Sequence, residues 1–350
     1  VIPTMNRLAS NPYVHNYYVD GQLTEADVQI GGVWKTIIVG AQGAGGKGYF
    51  ALDVTNPDLS AETANTGSDL KLLAETNGTT DPDQGYAFSR AAVTRMNDGN
   101  WYVVYGNGYN SDNGNAVLMM YNLETGNGVN IHTTNVSAAA PNGLSSPVLG
   151  DTDNNSTADV AYAGDIDGNL WKFDLTDPDP LKWGVAYAGA PLYAGIATQP
   201  ITVQPDVSEH PSGVGAMVYF GTGRLLTRPE VNNNDVQAAY AIWDEGTPPP
   251  ASHNLVTQII TETTFTAPSG VKRIRIISDN PIDWNTHTGW TIPLPAGERI
   301  LARSRFRAFR LQFLSINTLV DGGENWLMEP RYNNCGPPPS VVFNLNEDGA

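Results

Sequence analysis

Apolar residues along this chain fall in short β-branched or aromatic runs, and the runs come in pairs. Residues 34–40 (WKTIIVG) end in glycine, and after a glycine-rich connection residues 49–54 (YFALDV) follow. The same two-part pattern returns as 101–106 (WYVVYG) with 117–123 (VLMMYNL) and as 160–164 (VAYAG) with 170–175 (LWKFDL). A fourth pair is 217–221 (MVYFG) with 239–244 (AYAIWD). Runs of this length, bounded by turn residues, predict strands. The repeated glycines Gly40, Gly106, Gly164 and Gly221 stand 66, 58 and 57 residues apart. Strand–turn–strand units recurring at a few tens of residues predict a modified β-propeller of irregular antiparallel blades with long insertions, all-β in class.

Outside the pairs the pattern is weaker. Residues 17–21 (YYVDG) read as a short strand closed by an Asp-Gly turn. Residues 247–250 (TPPP) cannot continue a central strand and read as a connector. Residues 272–277 (KRIRII), 289–292 (GWTI) and 325–328 (NWLM) predict further strands. Arg303, Arg305 and Arg307 alternate with Ser304 and Phe306, which predicts three arginines on one strand face. That face is either a solvated edge that discourages strand pairing or a docking patch. The propeller is expected to fill residues 1–335, with a Pro- and Asn-rich, loosely held tail at 336–350.

Composition narrows the function classes. Charged residues are 16% of the chain, with 36 glycines and 24 prolines, which suits many short strands joined by turns and not helices. A net charge of −17 argues against a nucleic-acid or anionic-membrane surface and favours cations. Cys335 stands alone, so the chain has no internal disulfide and no thiol cluster for a metal. No run approaches the ~18 apolar residues of a membrane span, and no signal peptide is visible. The first residue is Val1, which suggests a fragment or a processed product.

The strongest local chemistry lies at residues 151–159 (DTDNNSTAD). Oxygen-bearing side chains occupy relative positions 1, 3, 5 and 9, so one curled loop would aim Asp151, Asp153, Asn155 and Asp159 at a common centre. Thr157, at position 7, would add its backbone carbonyl. Hard, mostly anionic oxygen donors at this spacing are what Ca²⁺ requires. The EF-hand pattern also wants glycine at position 6 and glutamate at position 12, where this chain has Ser156 and Tyr162. The prediction is therefore a calcium loop between β-strands, against the plainer alternative of an Asx-rich hairpin turn.

These residues together resemble the C-terminal domain of the PilY1/PilC family of type IV pilus biogenesis proteins. The resemblance rests on residues 40–54 (GAQGAGGKGYFALDV), 104–111 (VYGNGYNS), 143–148 (GLSSPV), the 151–159 loop, 164–174 (GDIDGNLWKFD), 218–224 (VYFGTGR) and 326–329 (WLME). It implies a modified propeller with a calcium loop of pattern Asp-x-Asp-x-Asn/Asp-x-x-x-Asp, matched here by Asp151, Asp153, Asn155, Thr157 and Asp159. It further implies a pilus assembly and tip adhesion factor at the outer cell surface, whose calcium is linked to whether pili stay extended or retract. The implied partners are pilin or minor pilins and a host or abiotic surface. The adhesive N-terminal region usual in the family is absent from this chain, and the arginine-rich segment 299–310 departs from the family pattern.

Other motifs point elsewhere less well. His15, His132, His210, His253 and His287 show no metal-binding spacing and are expected at the surface or in packing. The glycines of 43–48 lead into a strand, without the helix that a phosphate loop needs. Residues 165–169 (DIDGN) read as a tight hairpin before a second cation site. Trp34, Trp101, Trp171 and Trp243 are expected to pack between blades. The alternative function is a quinoprotein-like dehydrogenase with a PQQ-type cofactor and calcium, because residues 121–126 and 170–174 resemble the repeats of those propellers. Donors from one contiguous loop would saturate the ion locally and leave little room for a cofactor, so no catalytic residue is expected.

Overall fold

The computed structural model describes residues 7–56, 71–134, 141–320 and 322–339. The chain forms two compact units, one of residues 1–165 with 171–190 and one of 166–170 with 191–350.

The first unit holds three four-stranded meanders. The first sheet contains β1 (Leu23–Ile30), β2 (Val33–Ala41), β3 (Gly48–Asp53) and β4 (Lys71–Asn77) in that order. The second contains β5 (Ala92–Arg95), β6 (Trp101–Gly106), β7 (Val117–Asn122) and β8 (Gly128–His132). The third contains β9 (Val148–Gly150), β10 (Val160–Gly164), β11 (Leu170–Asp174) and the two-residue β12 (Gly184–Val185). The inner strands are the paired apolar runs of the sequence. β6, β7 and β10 are buried almost throughout, and β6 and β7 belong to a central sheet covered on both faces.

Strand alternation shows how the second sheet is sandwiched. Val103 and Tyr105 of β6, with Val117 and Met119 of β7, pack on Val39, Tyr49 and Ala51 of the first sheet. Tyr102 and Val104, with Leu118 and Met120, turn the other way onto Ala161, Ala163, Trp171 and Phe173 of the third sheet. Gly106 ends β6 where a Cβ would lie 2.0 Å from the Ser145 carbonyl oxygen, so no larger residue fits this blade-ending position.

The second unit carries β13 (Asp206–Glu209), β14 (Ala216–Gly221), β15 (Ala238–Asp244) and β16 (Leu255–Thr257). An exposed ribbon of β17 (Ile260–Ala267) and β18 (Gly270–Ile277) follows, before β19 (Gly289–Pro293) closes the five-stranded order β13-β14-β15-β19-β16. β16 runs parallel to β19. The last sheet groups β20 (Glu298–Ile300), β21 (Arg305–Arg307), β22 (Arg310–Asn317) and β23 (Glu324–Met328), all three others pairing with β22.

Three expectations change. Residues 17–21 form no strand. Instead the Asp20 amide donates to the Gln42 carbonyl and its carboxylate accepts from the Gly45 amide, which pins this segment to the glycine-rich turn. Arg303 lies ahead of β21 and turns to Gln204 and Asp206, so only Arg305 and Arg307 share a strand face. Trp34 is 60% exposed and meets Trp101 edge-on, while Trp171 is fully buried. The tail beyond Pro339 lies outside the described residues, although Gly336 is buried and donates its amide to Asn334 Oδ1. Among the described residues no helix is long and apolar enough to cross a membrane.

Candidate metal centre

The loop between β9 and β10 curls back on itself. Asn154 and Ser156 adopt left-handed conformations, with φ of 60° and 69°. These two reversals swing the intervening side chains inward. Ser156 holds the position where an EF-hand places glycine, and its backbone shows why glycine suits it.

Asp151, Asp153 and Asp159 each bring a carboxylate oxygen within 4.8 Å of the others. Among the described residues this is the one group of three His, Cys, Asp or Glu side chains so placed. The loop supplies only N–H and O–H donors to these acids. Asp151 accepts from the Asn155 amide at 3.2 Å and from the Ser156 amide at 2.8 Å. Asp153 accepts from the Asn155 amide and side chain at 3.1 and 3.0 Å. Asn155 Oδ1 accepts from the Thr157 amide at 2.8 Å and also from its hydroxyl. Asn155 and Thr157 lie inside the loop, and the single proton of the Thr157 hydroxyl is shared between Asn155 Oδ1 and Asn97 Oδ1.

Asp159 is the buried member, 3% exposed at the entrance to β10. Its Oδ2 accepts from the Thr152 amide and hydroxyl, both at 2.7 Å, and its Oδ1 from Asn97 Nδ2 at 2.9 Å. Burial opposes its charge, but these bonds outweigh burial and hold the carboxyl below its ordinary pKa. The two Thr152 bonds use both lone pairs of Oδ2, and Asn97 uses one of Oδ1. The donor set is anionic, all-oxygen and convergent, which fits Ca²⁺. Asn97 was not legible in the sequence, because it comes from the β5–β6 turn some sixty residues earlier.

The comparisons with known proteins bear on this geometry. A family model described as the PilY1 beta-propeller domain matches residues 1–264. The chain belongs to the PilY1 family. A type IV pilus biogenesis factor PilY1 homolog of Xylella fastidiosa is 35% identical over 359 aligned positions, covering 93% of this chain and 24% of that protein. Type IV pilus biogenesis factor PilY1 of Pseudomonas aeruginosa is 36% identical over 327 positions, covering 83% of this chain and 27% of that protein. The chain thus spans about a quarter of the length of these curated relatives. The crystal structure of the P. aeruginosa PilY1 C-terminal domain superposes with a TM-score of 0.82 at 33% identity, over 95% of this chain and 74% of that one. This PilY1 domain is all-β, a propeller domain of several antiparallel sheets.

The remaining motifs of this PilY1-family chain have structural partners. Asp165 is fully buried and accepts from Trp171 Nε1 at 2.8 Å and Asn142 Nδ2 at 3.0 Å, within the packing around the β10–β11 turn. His210 stacks on Trp243 with centroids 3.9 Å apart, and His132 pairs with Asp83 at 3.1 Å. A groove of about 590 Å³ between β8 and residues 180–185 has His132 as the one titratable side chain in its described lining.

Proposed function

We propose that this chain is the calcium-binding propeller of a type IV pilus assembly and tip adhesion factor, and not an enzyme. Asp151, Asp153, Asn155 and Asp159, with the Thr157 carbonyl, would hold Ca²⁺, which supplies the positive charge that three facing carboxylates lack. The propeller would fill residues 1–335 ahead of the 336–350 tail. The observation that carries the reading is the convergence of Asp151, Asp153 and Asp159 within 4.8 Å in a member of the PilY1 family. Without a cation these acids repel one another across an exposed loop, so occupancy orders the loop and biases a binding surface. In this reading the loop's state decides whether pili stay extended or retract and whether they attach. The site would act at the pilus tip or outer cell surface, after export through the periplasm, with pilin or minor pilins and a host or abiotic surface as partners. Because the donors come from nine consecutive residues, the site closes on itself, and the quinoprotein alternative gains no support.

The test is made in cells that carry the full-length protein with Asp153→Ala. Surface pili and attachment are counted with and without added calcium. The expected result is loss of calcium dependence with the protein still exported at normal levels. Unchanged calcium dependence contradicts the regulatory reading.

A further inference from the structure

Asn97 ties the loop to the neighbouring sheet. Its Nδ2 donates to the Ala158 carbonyl at 3.2 Å, to Asp159 Oδ1 at 2.9 Å and to the Leu175 carbonyl at 3.0 Å. Its Oδ1 accepts from the Thr157 hydroxyl at 2.7 Å. Two hydrogens serve three acceptors, so the donor capacity of the amide is fully used. Bonds to the two carbonyls alone would suffice to hold the chain. The other two reach a metal-facing carboxylate and the residue at loop position 7.

The turn that carries Asn97 is itself fixed. Asp98 accepts from the Asn100 amide at 3.0 Å, from Asn100 Nδ2 at 2.9 Å and from the Tyr102 hydroxyl at 2.8 Å. The Met96 amide donates to the Asn100 carbonyl at 2.9 Å, and the Ala158 amide reaches the Arg95 carbonyl at 2.9 Å. A rigid turn therefore grips one oxygen of Asp159 while Thr152 grips the other from within the loop. The plane of this carboxylate is set before any ion arrives, which lowers the ordering cost of binding.

We propose that Asn97 is a positioning residue of the calcium loop, and that it transmits occupancy of the loop to the 96–100 turn of the second sheet. This inference rests on the calcium reading above. Coupling of this kind is reciprocal, so loosening the turn weakens the ion as much as losing the ion loosens the turn.

The experiment titrates Ca²⁺ into chelator-treated wild type, Asn97→Ala and Asn107→Ala, with amide exchange read at residues 96–101. Asn107→Ala is the control for plain destabilisation, since buried Asn107, next after β6 of the same sheet, bonds Asp83, Asn115, Val117 and Leu144 and touches neither the loop nor the 96–100 turn. Outer bonds that orient metal ligands are typically worth roughly ten- to hundredfold in affinity, and Asn97→Ala is expected to lose that much. Asn107→Ala is expected to bind as wild type does, and calcium is expected to slow exchange in the turn of wild type but not of Asn97→Ala. Should Asn97→Ala fail to fold, Thr157→Val removes one bond from the loop side while keeping the carbonyl, and about a three- to tenfold loss is expected. Wild-type affinity in Asn97→Ala, or in Thr157→Val where that variant replaces it, overturns the inference alone, as does an equal loss in Asn107→Ala. No binding by wild type overturns the calcium reading itself and this inference with it.

Discussion

Two charged clusters in this chain are built on opposite principles. On the β17–β18 ribbon and its neighbours, Glu262, Glu298 and Glu324 each meet an arginine. Arg275 pairs with Glu298 and with Glu262, its guanidinium lies 4.0 Å from the Trp326 ring centroid, and Arg273 bridges Glu262 and Glu324. Arg275 and Glu298 are almost fully buried, and Ser315 donates a further bond to Glu298. In the 151–159 loop three acids face one another, and among the described residues no lysine, arginine or histidine bridges them. In the first cluster each carboxylate has a guanidinium partner, and the pairs fasten an otherwise exposed two-stranded ribbon, a unit with marginal stability alone. The second has no such counter-charge, which is what the proposed cation would supply. Acidic residues at a turn are therefore informative about ligands only once their counter-charges have been sought.

The contrast is broken most forcefully at Arg275. Arg275→Ala leaves Glu298 buried without its partner and is expected to cost about 3–5 kcal/mol in denaturant unfolding. Calcium affinity should not change. An equal loss of calcium binding would show that the two clusters are not independent.

His210 illustrates a third solution, in which a buried group stays neutral. Burial lowers its pKa to about 4 from the ordinary 6.5. Between those values the unfolded chain takes up a proton that the folded chain refuses, so stability is full above pH 6.5 and falls as pH drops toward 4. The loss is on the order of 2–3 kcal/mol. His210→Phe, which preserves the stack on Trp243, should flatten that part of the pH–stability curve, and an unchanged slope would contradict the assignment.

Smaller effects sharpen the comparison by sign. Asp151→Asn removes one of three facing charges and should stabilise the calcium-free protein by up to about 1 kcal/mol while weakening calcium binding. Neutralising Glu298 should do the reverse to stability, because its charge is already matched. Ser156→Gly relieves the left-handed residue in the loop and should raise the calcium-free melting temperature, by the equivalent of about 1 kcal/mol. A lower melting temperature in either loop variant would count against the account of the loop.

Much of this was legible in the sequence where the signal is local. The inner strands of the four pairs could be read because both faces are apolar, and the clustering of Asp151, Asp153 and Asp159 because their spacing lies within nine residues. Outer strands such as β1, β4 and β13 were not seen. Their residues are part exposed and polar, and pairing with a neighbour, more than composition, makes them strands. Asn97 was hidden for a different reason: its four bonds to the loop and to Leu175 span sixty or more positions, and no local pattern marks an asparagine for that task. Arg303 misled because alternation alone cannot reveal that a strand begins two residues later.

The most direct test of the account is calcium titration calorimetry on the chelator-treated chain, wild type beside Asp159→Ala, with a thermal melt of each. The expected result is saturable binding near one ion per chain and a calcium-dependent rise in melting temperature, both lost in Asp159→Ala while the calcium-free variant still unfolds cooperatively. Absence of heat and of any melting shift in wild type, or full affinity in Asp159→Ala, would contradict the claim that this loop is completed by calcium.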